Sequence, residues 1–119
     1  MQPIILHIDL GNQSLSSWLK DNRYVIYSEL VRYSEKLLNE KLELVQAILV
    51  SNLSDNIVFI IKKDNVELTL NKAMEFFLSI EEYEQCAKIR NLFILIENQK
   101  NEAGDIKTSR RNKRKSKAD

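Results

Sequence analysis

The run LELVQAILVSNLSDNIVFIIKKDNVELTL, residues 42–70, is where an all-helical chain and an α+β chain part company. Its second half is dense in β-branched and aromatic residues, which suit a pleated, half-buried surface and lose rotamer freedom in a helix. Asp64-Asn65 stands between IVFIIKK and VELTL as a hairpin turn would. Val66, Leu68 and Leu70 then alternate with Glu67 and Thr69, the period of a half-buried strand. These features predict an antiparallel hairpin. Upstream, LELVQAILVS ends at the polar break SNLSDN. A strand is the preferred reading of residues 41–50, but Leu42, Val45, Ile48 and Leu49 also fit a 3.6 period as an extension of the preceding helix.

Working outward toward the N-terminus, Ile26, Leu30, Tyr33, Leu37 and Leu38 recur at steps of three and four, with Glu29, Arg32, Glu35 and Lys36 on the other faces. This is an amphipathic helix from about residue 23, its charges a solvated face. Ser14 to Asn22 opens with a helical turn around Leu15, Trp18 and Leu19. Residues 3–10, PIILHIDL, read as a short first strand or extended arm bounded by Gly11 and Asn12.

Toward the C-terminus, residues 71–99 are helical. Ala73, Phe76, Phe77 and Ile80 make one apolar face. Beyond Ile80 the stripe becomes Cys86, Ile89, Phe93 and Ile96, rotated by about 100°. That phase shift predicts two helices, and Ser79 with Glu82 reads as a capping box opening the second. One long bent helix stays open as the alternative, because neither glycine nor proline marks the junction. Small side chains at Cys86 and Ala87 would let the two helices approach closely, Tyr83 would pack over their crossing, and Arg90 would reach the carboxylates of the turn.

The stretch MEFFLSIEEYEQCAKIRNLFILI, residues 74–96, resembles the UVR motif, a helical hairpin of the UvrB and UvrC excinuclease subunits and of several Clp-associated adaptors. Met74 opens the first helix. Glu82, Tyr83 and Glu84 stand at an acidic-aromatic-acidic turn. Cys86, Ala87, Ile89 and Arg90 give two small residues, an aliphatic and an arginine. Phe77, Leu78, Glu81 and Asn91 depart from the family pattern. The resemblance implies docking on another protein or another copy of the chain, with Tyr83, Glu84, Ala87 and Arg90 as protein-binding residues. It does not imply nuclease activity. The competing explanation is that these residues only maintain the fold.

The total charge of +1 hides an asymmetry. Lys107, Arg110, Arg111, Lys113, Arg114, Lys115 and Lys117 face only Asp119 within residues 107–119, a net +6, which leaves −5 on residues 1–106. The segment 104–119, GDIKTSRRNKRKSKAD, has almost no apolar residue with which to offset the entropy of ordering, so residues 101–119 are expected to be a disordered basic tail. Those seven cations are candidate nucleic-acid-binding residues. Without interleaved aromatics they would contact the backbone phosphates and not the bases, and the contact would be steeply salt-dependent. An acidic protein surface, or no partner at all, are the other readings of the tail.

Two glycines, one histidine and one cysteine among 119 residues exclude a phosphate-cradling loop, an internal disulfide and the usual structural zinc site. His7 beside Asp9 has no nucleophile placed with it, Cys86 reads as a small buried hydrophobe, and Glu81, Glu82 and Glu84 read as a solvated acidic turn. No enzyme activity, cofactor or metal is expected. No apolar run reaches the length of a membrane span and no secretory signal opens the chain, so the cytoplasm or the interior of a virion is the expected location. Trp18, Tyr24, Tyr27 and Tyr33 are either an interface patch or boundary residues with wet hydroxyls.

The sequence thus predicts one small α+β domain over residues 1–100: an antiparallel hairpin or sheet packed by the helix from residue 23, then a helical hairpin over 71–99, then the basic tail 101–119. The expected function is a noncatalytic adaptor or assembly module that docks on proteins. The alternative is a structural subunit of a nucleoprotein particle such as a phage virion.

Overall fold

A computed structural model describes residues 3–52 and 56–118, with side chains described as far as residue 102. The elements are β1 (Ile4–Ile8), α1 (Leu15–Asp21), α2 (Arg23–Asn39), β2 (Leu44–Ser51), β3 (Asn56–Lys62), α3 (Val66–Ser79) and α4 (Tyr83–Ala118). The α+β class is as expected, and residues 44–51 are strand.

The sheet has the order β1-β2-β3. β2 and β3 form the antiparallel hairpin, but β1 joins β2 in parallel, so the sheet is mixed. The reason is the connection: α1 and α2 lie between β1 and β2, and a helical crossover returns the chain in the same direction.

The hairpin lies earlier than the sequence suggests. It joins residue 51 to residue 56 through the polar break, and Asp64-Asn65 instead launches a helix. Asn65 closes a tight turn, accepting from the Lys62 amide on its Oδ1 at 2.8 Å and donating its own amide to the Lys62 carbonyl at 3.0 Å. The alternation Val66, Leu68, Leu70 is then overruled by a longer pattern. Val66, Leu70, Ala73 and Phe77 stand at i, i+4, i+7 and i+11 and are all buried, whereas Leu68 is 57% exposed.

The core packs α2 and α3 against one face of the sheet, with α4 laid against both helices. It draws Val31, Leu37 and Leu38 from α2, Val45 and Ala47 from β2, Ile61 from β3, Leu70 and Phe77 from α3, and Cys86 and Ile89 from α4. Phe77 meets Tyr24 edge-on at 5.5 Å, and Tyr27 stacks on Phe76 at 4.8 Å. Tyr27 is half-buried and Tyr33 buried, while Tyr24 keeps 43% of its surface exposed, so the tyrosines do not form one exposed patch. Gln99 ties α4 to the end of α2, donating from Nε2 to the Leu38 carbonyl at 2.8 Å.

Two helices end in the same way without glycine. After α2, Lys41 adopts φ 52°, and the amides of Lys41 and Leu42 donate to the carbonyls of Leu38 and Leu37. After α3, Glu81 adopts φ 60°, and the amides of Glu81 and Glu82 donate to Leu78 and Phe77. Both are Schellman motifs, in which a left-handed residue lets the last carbonyls be satisfied as the chain turns away. This makes the break between α3 and α4, so residues 71–99 contain two helices. Ser79 takes no part in a capping box: its hydroxyl donates back to the Phe76 carbonyl at 2.6 Å.

Helix α4 runs to Ala118, with its side chains described as far as residue 102. The seven basic side chains of the tail lie outside the described residues.

Candidate docking surfaces

Helix α4 is amphipathic in two directions. Cys86, Ile89, Leu92 and Ile96 point into the core. On the outer side, Tyr83, Ala87, Arg90 and Ile94 stand at i, i+4, i+7 and i+11, within about 40° of one line along the helix. All four are exposed, Tyr83 by 61% and Ile94 by 59%.

This placement divides the residues singled out in the hairpin. Cys86 does let the helices close together, being fully buried as Ala73 of α3 is. Ala87 faces away, and Tyr83 does not cover the crossing. Arg90 makes no ion pair among the described residues, with Glu84 or any other carboxylate. Arg90 stands six positions after Glu84, which sets them about 120° apart around the helix. Tyr83, Glu84, Ala87 and Arg90 are thus all exposed, with Glu84 in the first turn of α4, where a carboxylate favours the helix N-terminus.

The sheet supplies a second open surface, which the sequence reading missed. Its helix-facing side carries Ile4, Leu6, Val45, Ala47, Leu49, Phe59 and Ile61. Among the described residues no helix covers the other side. There Ile5, Ile48 and Val58 are in register across the three strands, flanked by Ile60 and Val50. Ile5, Val58 and Ile60 are each about half exposed, at 55%, 50% and 49%. The available signal was the continuous apolar run IVFII, since a strand with one wet face would alternate. His7 sits exposed on this side of the outer strand β1, opposite Val50.

Two clefts lie where layers meet. One, of about 430 Å³, is bounded by Leu42, Val66 and Ile96 and rimmed by charges of both signs, with Lys100 bonded to Glu67. The other, of about 490 Å³, runs between α1, α2, β3 and α3. Ile26, Tyr27 and Phe59 form its apolar wall and Lys20, Arg23 and Lys72 its charged rim, and no carboxylate lines it. Arg23 donates from Nε to the Lys20 carbonyl at 3.2 Å, and its guanidinium lies 5.9 Å from the centre of the Phe76 ring.

The strongest electrostatic perturbation lies in the core. Burial pushes the Tyr33 phenol up to about 12, and the nearby Glu29 carboxylate pushes the same way. Its hydroxyl has no hydrogen-bond partner among the described residues. Nothing around it suggests substrate chemistry. Among the described residues no three His, Cys, Asp or Glu side chains converge as a metal site, and no helix is long and apolar enough to cross a membrane.

No protein-family model, curated protein or solved structure matches this chain.

Proposed function

We propose that the protein is a noncatalytic docking module that joins an assembly through the outer face of its C-terminal hairpin, in the manner the UVR-like sequence implies. The observation that carries this reading is the stripe Tyr83, Ala87, Arg90 and Ile94. Two large apolar groups flank a small residue and an arginine, all exposed and unused by the core. Side chains at this spacing suit a second helix laid along α4, with Ala87 leaving room for close approach. Aromatic and arginine side chains are also the types that anchor protein interfaces. The open apolar face of the sheet supports the same reading, since contiguous exposed apolar surface marks interaction sites.

The test is affinity capture on the immobilised full chain, with Ala87→Glu as the matched control. A partner retained in stoichiometric amount by the native chain and lost with Ala87→Glu is the expected result. Identical capture by the two proteins refutes the reading.

A second reading, a subunit of a nucleoprotein particle in the cytoplasm or a virion, is favoured by the net +6 of residues 107–119. Six or seven phosphate contacts give a slope of about −5 to −6 for log K against log salt on duplex DNA. Replacing the seven basic residues by glutamine should abolish that binding, and a slope near zero in the native chain excludes this reading.

A further inference from the structure

We propose that the partner of the hairpin is a second copy of this chain, whose acidic, apolar tip occupies the cationic cleft between α1, α2, β3 and α3. This rests on the docking reading above and names its partner.

The cleft states what it would accept. Its wall, with Ile26, Tyr27 and Phe59, favours apolar groups, while Lys20, Arg23 and Lys72 stand around it with no carboxylate among the lining residues. None of the three makes an ion pair among the described residues. Three cations gathered in this way lower the stability of the chain through mutual repulsion, and an anionic group between them removes that cost. The complementary ligand is a segment that is both apolar and acidic.

The chain displays such a segment. Residues 78–84, LSIEEYE, form the turn between α3 and α4. Leu78, Ile80 and Tyr83 are exposed there by 50%, 43% and 61%, interleaved with Glu81, Glu82 and Glu84. None of these carboxylates makes an ion pair among the described residues. Leu78 and Ile80 leave about half of their surface uncovered and Tyr83 more, apolar area that a partner would bury. The turn is already fixed by the amides of Glu81 and Glu82 donating to Leu78 and Phe77 at 3.2 and 2.9 Å, so docking would order little new backbone.

The contact cannot form within one molecule. Thr69 and Lys72 of the cleft lie on α3, the helix that carries the tip at its far end. Lys72 and Leu78 stand six positions apart on one rigid helix, about 9 Å along its axis, the helix cannot bend back on itself, and no tip carboxylate pairs with Lys20, Arg23 or Lys72 among the described residues. The tip must therefore enter another copy. Because tip and cleft are unlike surfaces, one junction leaves a tip and a cleft open. Growth ends when a reciprocal pair or a ring closes.

Charge reversal of the full chain tests this by light scattering over a range of concentrations, at low and at high salt. The native chain should associate, and less at high salt. Lys20→Glu with Lys72→Glu, reversing the cleft, should weaken association by about 100-fold, and Glu82→Lys with Glu84→Lys, reversing the tip, should do the same. Circular dichroism should stay native in both, with the melting temperature of the tip variant a few degrees lower because Glu84 stands in the first turn of α4, where a carboxylate favours the helix N-terminus. An equimolar mixture of the two variants should form a joint species that neither forms alone, and a chain carrying all four reversals should associate again. A native chain that stays monomeric, or reversed variants that associate as the native chain does, overturns the inference. Loss of capture on Ala87→Glu beside unaltered association on charge reversal also overturns it, and leaves the docking reading standing with a different partner.

Discussion

Replacing Glu81 by glycine should stabilise the protein and weaken its self-association at once. Glu81 sits at φ 60° as the left-handed residue that ends α3, and Lys41 sits at φ 52° in the matching position after α2. A side chain with a Cβ costs about 1–2 kcal/mol in that region. Glycine removes this cost but gives back about 0.5–1 kcal/mol through the greater freedom of its unfolded chain. The net gain is about 0.5–1 kcal/mol at each site, or about 2–5 °C in melting temperature for a domain of this size. The two positions lie at opposite ends of the packed α2 and α3 helices, so the gains should add.

The two substitutions differ in what else they remove. Glu81 contributes one of the three carboxylates of the tip, whereas Lys41 lies away from both tip and cleft. Urea unfolding followed by circular dichroism, with light scattering on the same samples, separates the effects. Lys41→Gly should gain stability with association unchanged. Glu81→Gly should gain as much stability while associating several-fold more weakly. If neither gains stability, the left-handed turns do not store the strain argued for them. If Glu81→Gly associates as the native chain does, its carboxylate has no part in the contact.

Three further outcomes follow from the packing. Phe77→Ala removes a ring that is fully buried beside Tyr24, Tyr27 and Phe76, and chemical denaturation should show a loss of about 3–5 kcal/mol. Tyr33 binds its proton more tightly folded, with its phenol at about 12, than unfolded near the ordinary 10. Its contribution is therefore intact below pH 10 and is lost as pH rises from 10 toward 12, by at most about 1.4 kcal/mol per pH unit. Unfolding at alkaline pH should show a shallower decline in Tyr33→Phe than in the native chain. Ile94→Lys, on an exposed position, should change stability by less than about 0.5 kcal/mol yet abolish partner capture.

The parts of the fold legible in the sequence are those where burial is one-sided and periodic. Residues 23–39 read as a helix because Leu30, Tyr33, Leu37 and Leu38 repeat on one side. The α3–α4 pair was readable from the change of phase between Phe77 and Cys86. Val66–Leu70 misled because three alternating apolar residues satisfy two periods at once, and only Ala73 and Phe77 beyond them decide for a helix. The helix ends were hidden for a related reason. Lys41 and Glu81 take the conformation that glycine usually marks, so no residue type announced the stops. Pairing direction was also out of reach, since β1 lies parallel to β2 through a tertiary crossover.

The candidate site divides along the same line. Tyr83, Glu84, Ala87 and Arg90 came from a motif in which core and surface residues are mixed, and only the orientation of α4 separates Cys86 and Ile89 from them. Ile94 belongs to the same outer stripe and was accessible from its spacing to Tyr83 and Ala87. The cleft was not accessible at all. Lys20, Arg23 and Lys72 lie up to 52 positions apart, and each reads alone as an ordinary solvated cation.

The charge asymmetry of the chain acquires a structural division of labour under the proposed contact. The body carries −5, and three of its carboxylates project together at one turn while three of its cations surround one cleft. Joining tip to cleft neutralises both clusters and leaves the net +6 of residues 107–119 outside the junction. Each added copy then brings a further set of seven basic residues to the same assembly. Because independent phosphate contacts multiply through effective concentration, an oligomer should hold a polyanion far more tightly than one chain does. Replacing Leu78 and Ile80 of the tip by serine, which leaves the net charge unchanged, should therefore reduce affinity for long duplex DNA while leaving affinity for a duplex long enough for only one chain unchanged. Equal losses on long and short duplexes would separate the tail from assembly.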